Sequence, residues 1–357
     1  MAISLEFEGK SISINTTWLY ESCRCEQCYD ATSKSRITSI QQFLEAVNIK
    51  VNKYEQENDS LHVEWSNGHA STYDVKWVFD TWTSNGVKLE PYTCVGKELE
   101  SLPARVDANS LITTEGQREL VRSILKYGIG VITNVEPTLE ATEKVIRHIA
   151  KPYDLMFGPM WIVGPNEKYH KDPAYSNGSL VAHNDNTYLN DGAGLQVFHM
   201  LERDNNGTGG LSTAVDGFKV AEILKQENHL HFKCLTEIDV ETEYVNLDSH
   251  YKWSEPVIKI NSTTNDINQI RFNIYDRTCQ PQSRITEFYA SYAHFVEILK
   301  REELYWEYAL QPGTVVIYNN WRILHGRTAF TGKRVFVGCY VSTAEFLSKA
   351  RTLGLIS

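Results

Sequence analysis

Three cysteines within six residues, Cys23, Cys25 and Cys28, constrain this chain more than any other feature. The run Cys-Arg-Cys-Glu-Gln-Cys places three thiols close enough to converge on one ion. Of seven cysteines, Cys94, Cys234, Cys279 and Cys339 are scattered along the rest of the chain. An odd total with one tight cluster suits an intracellular metal site better than a disulfide framework. Structural zinc takes four soft or borderline ligands in a tetrahedron. His69 is the natural fourth, because the Asn67-Gly68 turn fixes its backbone and can present its ring. The competing reading is a set of buried or merely reactive thiols, with His69 on the surface.

The cluster lies in a β-rich stretch. Leu61, Val63 and Trp65 alternate with polar residues up to Asn67-Gly68, and His69, Ser71, Tyr73 and Val75 alternate after it. Asn-Gly between two alternating runs is a strong hairpin signal. Residues 1–100 are expected to form an N-terminal zinc-binding β domain, and residues 101–357 a second domain. The polar segment Lys97 to Asn109, with Pro103, reads as the linker. A total of 357 residues, at about 150 per domain, agrees with two domains.

Beyond the linker, Thr114 to Gln117 reads as a capping box before the stripe Leu120, Val121, Ile124, Leu125, with Gly128 as the stop. Further helices are expected at Leu139–Ile149, Phe218–Glu227 and Ile285–Arg301. Strand-like runs fall at Gly130–Thr133, Leu195–Met200, Ile270–Ile274, Thr314–Tyr318 and Arg334–Ser342. Strands among a few helices, without βαβα regularity, predict an α+β fold with an antiparallel core.

Composition narrows the function classes. With 45 acidic and 35 basic side chains the formal charge is −10, which argues against nucleic acid or an anionic membrane as partner. Apolar residues at 42% suffice for a full core. No apolar run approaches the roughly 18 residues of a membrane span. The N-terminus MAISLEFEGKSIS alternates like a strand and lacks the pattern of a signal or transit peptide, so the expected compartment is cytoplasmic.

A second metal constellation is a pair of histidines and one carboxylate on one face of an octahedral Fe(II), written His-x-Asp/Glu plus a distant His. It occurs three times. His62-Val-Glu64 fits the solvent face of the hairpin, and His170-Lys-Asp172 a loop before Pro173. His183-Asn-Asp185 follows the apolar pair Leu180-Val181 and has the strand-to-loop context that puts ligands at the mouth of a barrel. The distant partner is His325, directly after the strand Thr314–Tyr318, where Gly326 would let the backbone pass close to a bound ion or ligand. Arg334 opens the last strand and is suited to hold a carboxylate in a bidentate grip. Ordinary core histidines and a structural salt bridge are the competing reading.

The C-terminal run Asn320-Trp321-Arg322-Ile323-Leu324-His325-Gly326-Arg327, then Phe330-Thr331-Gly332, Arg334 and Gly338-Cys339-Tyr340, closely resembles the signature of the trimethyllysine dioxygenase family and its γ-butyrobetaine sister branch. The likeness continues through Gly194-Leu195-Gln196-Val197-Phe198-His199, Gly209-Gly210, Val215-Asp216-Gly217-Phe218 and Arg271-Phe272-Asn273-Ile274-Tyr275-Asp276-Arg277, back to Trp18-Leu19 and the cysteines. It implies a double-stranded β-helix (jelly-roll) catalytic core with helices, a small zinc-binding domain and a homodimer. By the same resemblance, His183, Asp185 and His325 would bind Fe(II), and Arg334 the distal carboxylate of 2-oxoglutarate, assisted by Ser212. Cys23, Cys25, Cys28 and His69 match the zinc ligands of the butyrobetaine branch. O2 would be the other cosubstrate and ascorbate the reductant.

Both sister substrates carry a trimethylammonium group, which donates no hydrogen bond and is recognised by aromatic faces. Trp161, Tyr175 and Tyr340 fall at the family's cage positions, with Phe157 where Tyr is usual; core packing is the competing reading for each. Asp172 stands where the trimethyllysine branch has Asp and the butyrobetaine branch Asn. It would pair with an α-ammonium and repel a lone carboxylate, unless it merely caps a turn before Pro173. Asn273 is matched to the α-carboxylate. Three departures stand out: Asn184 between the iron ligands where Thr is common, Tyr20-Glu21 after Trp-Leu, and a cysteine cluster more like the butyrobetaine branch. The implied reaction is hydroxylation of Nε-trimethyllysine at C3, the first step towards carnitine. Hydroxylation of γ-butyrobetaine is the alternative. N-methyl demethylation and a non-catalytic zinc-dependent binding module are the readings from other classes.

Overall fold

Alternation in the first fifteen residues buries one face only. In the computed structural model, β1 (Ala2–Phe7) pairs antiparallel with β2 (Lys10–Asn15), and Ile3, Leu5 and Ile14 point inward while their neighbours face solvent. The structure describes residues 2–83, 89–164, 176–204, 206–278 and 283–357. Two compact units result, residues 1–88 and residues 89–356.

In the first unit, Asn15 caps α1 (Thr16–Glu21) by accepting from the Trp18 N–H, and α2 (Ile40–Ala46) begins with a capping box of Ser39 and Gln42. β3 (Val51–Glu57), β4 (Ser60–Trp65) and β5 (Ala70–Asp74) form a three-stranded sheet in that order, followed by α3 (Val75–Trp82). Leu61, Val63 and Trp65 are buried and His62 and Glu64 exposed, so the first His-x-Glu pair lies on the solvent face, as its alternation predicts.

The second unit opens with β6 (Arg105–Asp107), α4 (Thr114–Tyr127), β7 (Ile129–Thr133) and α5 (Leu139–Ile146). Then follow β8 (Trp161–Val163), β9 (Leu180–His183), β10 (Ala193–Arg203) and β11 (Ser212–Asp216). Next come α6 (Gly217–Glu227), α7 (His229–Glu237), and the hairpin β12 (Asp239–Val245) and β13 (His250–Pro256). The chain closes with α8 (Ile285–Leu299), β14 (Trp306–Tyr308), β15 (Val315–Asn319), β16 (Ile323–Arg327), β17 (Arg334–Ser342) and α9 (Thr343–Thr352).

Two sheets carry the site. One runs β8-β17-β10-β15-β7-β6 and the other β9-β16-β11-β14. Ile129, Val131, Met200, Val316 and Phe336 from the first pack with Ala214, Trp306 and Ile323 from the second, filling the space between them. The outer face of the larger sheet is covered by α4, α5 and α9 through Leu120, Ile124, Ile146 and Phe346. A second cluster joins α6, α7 and α8 to Val215 and Leu324 of the smaller sheet. This is the α+β double-stranded β-helix that the sequence pattern and the resemblance predict. No helix among the described residues is long and apolar enough to cross a membrane.

Four local readings change. The α4 cap is Thr113, whose hydroxyl accepts from the Gly116 N–H, while Gln117 donates to the Leu111 carbonyl instead of reaching back to a cap. The segment read as a linker is a short helix, the strand β6 and a 3-10 turn of the larger unit. The β6–β7 pair is parallel, an exception to the antiparallel core. Strand pairing expected over Ile270–Ile274 ends at Ile270, because Phe272 bonds through its N–H and C=O to Asn184 and not to a sheet neighbour.

Candidate active site

Strand register assembles the first constellation. His183, the last residue of β9, lies directly across from His325 of β16, so both rings share one face of the smaller sheet. Asp185 follows two residues on. Its Oδ1 is 3.3 Å from His183 Nε2 and its Oδ2 is 3.7 Å from His325 Nε2. The three donor atoms lie within 4.8 Å of one another, two imidazole nitrogens and one carboxylate. That donor set is the one a facial-triad Fe(II) takes, and it fits the ion.

Surrounding groups hold each donor in place. His183 Nδ1–H donates to the Val181 carbonyl at 2.7 Å, which leaves Nε2 for a metal. The Tyr275 ring meets His183 edge-on, and its hydroxyl accepts from the Val181 N–H at 3.0 Å. His325 stacks on Tyr318 with 12° between the planes and meets Phe198 edge-on. Burial alone would raise the Asp185 carboxyl, but the charge of His325 and hydrogen bonds from both imidazoles hold it well below the usual carboxylate range. The same partnership raises His183 against the opposing effect of burial.

Asn184, between the two ligands, points away from them and is fully buried. Its amide nitrogen donates to the Asn320 carbonyl and its oxygen accepts from the Phe272 N–H. Asn320 in turn accepts from the Asp185 N–H and donates to the Asp185 carbonyl, clamping the ligand's backbone. An Asn donates and accepts from two separate atoms, whereas the more common Thr would do both from one oxygen. Asn273 belongs to this network: it donates to the Asn184 carbonyl and to Asp276, and accepts from the Tyr275 N–H. Its amide is thereby bonded within the loop that carries it. At Gly326, a Cβ would stand 2.4 Å from the Leu180 carbonyl. Close packing of β9 on β16 requires the glycine.

Arg334, half-buried at the start of β17, has no carboxylate partner among the described residues. Its Nη2 donates to Ser212 Oγ at 3.4 Å and its Nε is buried without a partner. Phe330 and Phe336 flank the guanidinium. Burial and the neighbouring Arg203 draw its pKa down to about 10. A desolvated cation with spare donors calls for an anion, and the distal carboxylate of 2-oxoglutarate fits it.

Of the aromatic positions, Trp161 and Tyr340 meet with ring centroids 5.6 Å apart, and Tyr340 donates its hydroxyl to Asp185 Oδ2 at 3.0 Å. Trp161 is also edge-on to Phe198 and Phe336. Phe157 packs against Tyr244, which stacks on Tyr188. Asp172 and Tyr175, and with them His170, lie outside the described residues. Tyr275, Asn320 and Tyr318 escaped the sequence reading. Only the short spacing of Asn320 from His325 hinted at a role.

In the first unit, Cys23, Cys25, Cys28 and His69 converge, with their sulfurs 3.4, 3.8 and 3.5 Å from His69 Nε2. A tetrahedron with Zn–S of about 2.3 Å and Zn–N of about 2.05 Å has S···N edges of about 3.6 Å, so the cluster fits zinc. The turn expected before His69 is present, with Gly68 at φ 84° and the Trp65 N–H bonded to the His69 carbonyl. Burial and the neighbouring sulfurs push the Cys28 thiol up to about 12, a crowding that a cation relieves by taking the ligands as thiolates.

Residues 88–340 match the model of the taurine catabolism dioxygenase TauD, TfdA family. The chain belongs to that family. Residues 2–79 match the gamma-butyrobetaine hydroxylase-like N-terminal model. The rat mitochondrial trimethyllysine dioxygenase is 31% identical over 366 residues, covering 99% of this chain and 86% of that one. The human mitochondrial enzyme of the same name is 31% identical, covering 98% and 85%, and that of Meyerozyma guilliermondii is 29% identical, covering 99% and 94%. Among solved structures, AAD-2 in complex with Mn(II) and N-oxalylglycine aligns with a TM-score of 0.55 at 12% identity, covering 71% of this chain and 97% of that one. A taurine dioxygenase from Burkholderia xenovorans aligns at 0.53, also at 12% identity, covering 71% and 89%. These structures share the fold. The family member described here is an enzyme, a 2-oxoglutarate-dependent dioxygenase of iron, with a second cluster that fits zinc.

Proposed function

We propose that this dioxygenase hydroxylates Nε-trimethyllysine at C3, giving 3-hydroxy-Nε-trimethyllysine, with His183, Asp185 and His325 as the iron ligands. The observation that carries the reading is the setting of this triad. Near it lies Arg334, a cation without a counter-ion among the described residues, and beside it the aromatic pair Trp161–Tyr340, tied to Asp185 by a hydrogen bond. Relatives named trimethyllysine dioxygenase along nearly the whole chain support the choice of substrate. With O2, the bound iron and 2-oxoglutarate supply the oxidant that turns a C–H bond into C–OH.

What the chain contributes is placement. Arg334 and Ser212 hold the far carboxylate of the cosubstrate, and Trp161 and Tyr340 offer π faces to the trimethylammonium group. Phe157 and Tyr175 complete the cage, and Asp172 pairs with the α-ammonium. A γ-butyrobetaine reading is favoured by the match of residues 2–79 and the complete Cys3His cluster. Mass spectrometry of the product decides whether one oxygen has been added at C3. Formaldehyde release instead of a hydroxylated product would contradict the reading. None of the six described cysteines is joined in a disulfide. They suit a reducing compartment, cytoplasmic or, as in the relatives named mitochondrial, the organelle; fractionation separates the two.

A further inference from the structure

Arg334 is not alone at the end of β17. Tyr308, the last residue of the edge strand β14, is the register partner of Ser212 on β11, and Ser212 accepts from Arg334. The Tyr308 and Tyr318 hydroxyls are hydrogen-bonded to each other. Both phenols feel the Arg334 charge, and Tyr308 feels the Ser212 hydroxyl as well. Tyr318 comes from β15 in the opposite sheet, fully buried, and its ring lies flat on His325. Three hydroxyls and one guanidinium from both sheets therefore meet at one place, beside one of the iron ligands.

Two phenols joined by one hydrogen bond share one proton between their oxygens and keep the other for a further acceptor. A phenol hydroxyl is a donor at neutral pH. Arg334 lacks an anion, and these hydroxyls lack a strong acceptor among the described residues. A carboxylate brought to Arg334 satisfies both deficits.

We propose that Tyr308, backed by Tyr318, is the hydrogen-bonding half of the cradle for the distal carboxylate of 2-oxoglutarate, with Arg334 as the charged half. The proposal rests on the 2-oxoglutarate reading of the Arg334 pocket. It also gives Tyr318 a double part, since the ring that stacks on His325 sets the distance between the cradle and the metal ligand.

The test titrates the anaerobic iron-loaded protein with 2-oxoglutarate and, separately, with 2-oxopentanoate, which keeps the keto-acid head but has no distal carboxylate. Binding is read by calorimetry and by the visible absorption of the iron-bound keto acid. Tyr308→Phe is expected to raise the Kd for 2-oxoglutarate about tenfold, the loss of one hydrogen bond to a charged group. The Kd for 2-oxopentanoate, the iron content and the Tm are expected to stay as in the unmodified protein. Tyr318→Phe is expected to act in the same direction, and serves if the first variant does not fold. Unchanged 2-oxoglutarate affinity in these variants overturns the proposal, and so does equal weakening of both acids. An unmodified protein that takes up neither acid overturns the 2-oxoglutarate reading itself, and the cradle with it.

Discussion

Gly338 sits in β17 with the Trp161 indole lying across it: a Cβ at this position would stand 1.8 Å from the ring. The flat face that Trp161 turns towards Tyr340 exists because residue 338 has no side chain. Gly338→Ala is expected to displace the indole, lowering stability by about 1–3 kcal/mol and raising the KM for trimethyllysine about tenfold while Fe(II) binding persists. Thermal unfolding and substrate titration check the two effects. Such a position is visible in the sequence only as part of the Gly-Cys-Tyr run. The convergence of the triad was legible, since His183-x-Asp185 in a strand-to-loop context and His325 after a strand form a pattern. What the sequence hid is the support: Asn320, Tyr275, Tyr308 and Tyr318 act through contacts between segments far apart in the chain. Asn273 belongs to the same support, its amide bonded to Asn184 and Asp276.

Among the elements, the end of β11 carries the most concentrated electrostatics. Asp216 caps α6 by accepting from the Phe218 N–H, accepts from the Cys94 N–H, and forms a fully buried ion pair with Arg322 at 2.7 Å. Arg322 also donates to the Tyr92 and Lys126 carbonyls, so one pair joins strand, helix and the segment before α4. Asp216→Ala strands the buried guanidinium and is expected to cost about 3–5 kcal/mol in urea unfolding. His199 on β10 offers a pH test. The Thr142 hydroxyl donates to Thr138, so it accepts from His199 Nδ1–H, and Nε2 is left buried without a partner. Burial lowers this imidazole to about 4. Between about pH 6.5 and 4 the unfolded chain binds a proton that the folded one refuses, so stability falls as pH drops through that window, by up to about 3 kcal/mol. His199→Gln is expected to flatten that part of the curve, measured by denaturant unfolding at successive pH values. At this scale the helices and most strands were legible from periodicity and stops such as Gly128. Misreadings arose where a side chain competed for the backbone: Thr113 for the α4 cap, and Asn184 for Phe272 in place of a strand.

At the scale of the whole molecule, two donor sets of different softness stand in two units, three sulfurs and a nitrogen in one, two nitrogens and a carboxylate in the other. Cys25→Ser is expected to remove most of the zinc and leave the iron content unchanged, as read by elemental analysis per chain. Neither metal distinguishes the two quaternary ammonium compounds; under the proposed function Asp172 would, by pairing with an α-ammonium. The most direct measurement compares succinate formed from 2-oxoglutarate when the purified iron-loaded protein is given Nε-trimethyllysine or γ-butyrobetaine at equal concentration. Trimethyllysine is expected to drive succinate formation at least about tenfold faster, as one ion pair to the α-ammonium would provide. Faster turnover with γ-butyrobetaine would contradict the assignment, and succinate formation with neither compound would contradict catalysis on trimethylammonium substrates altogether.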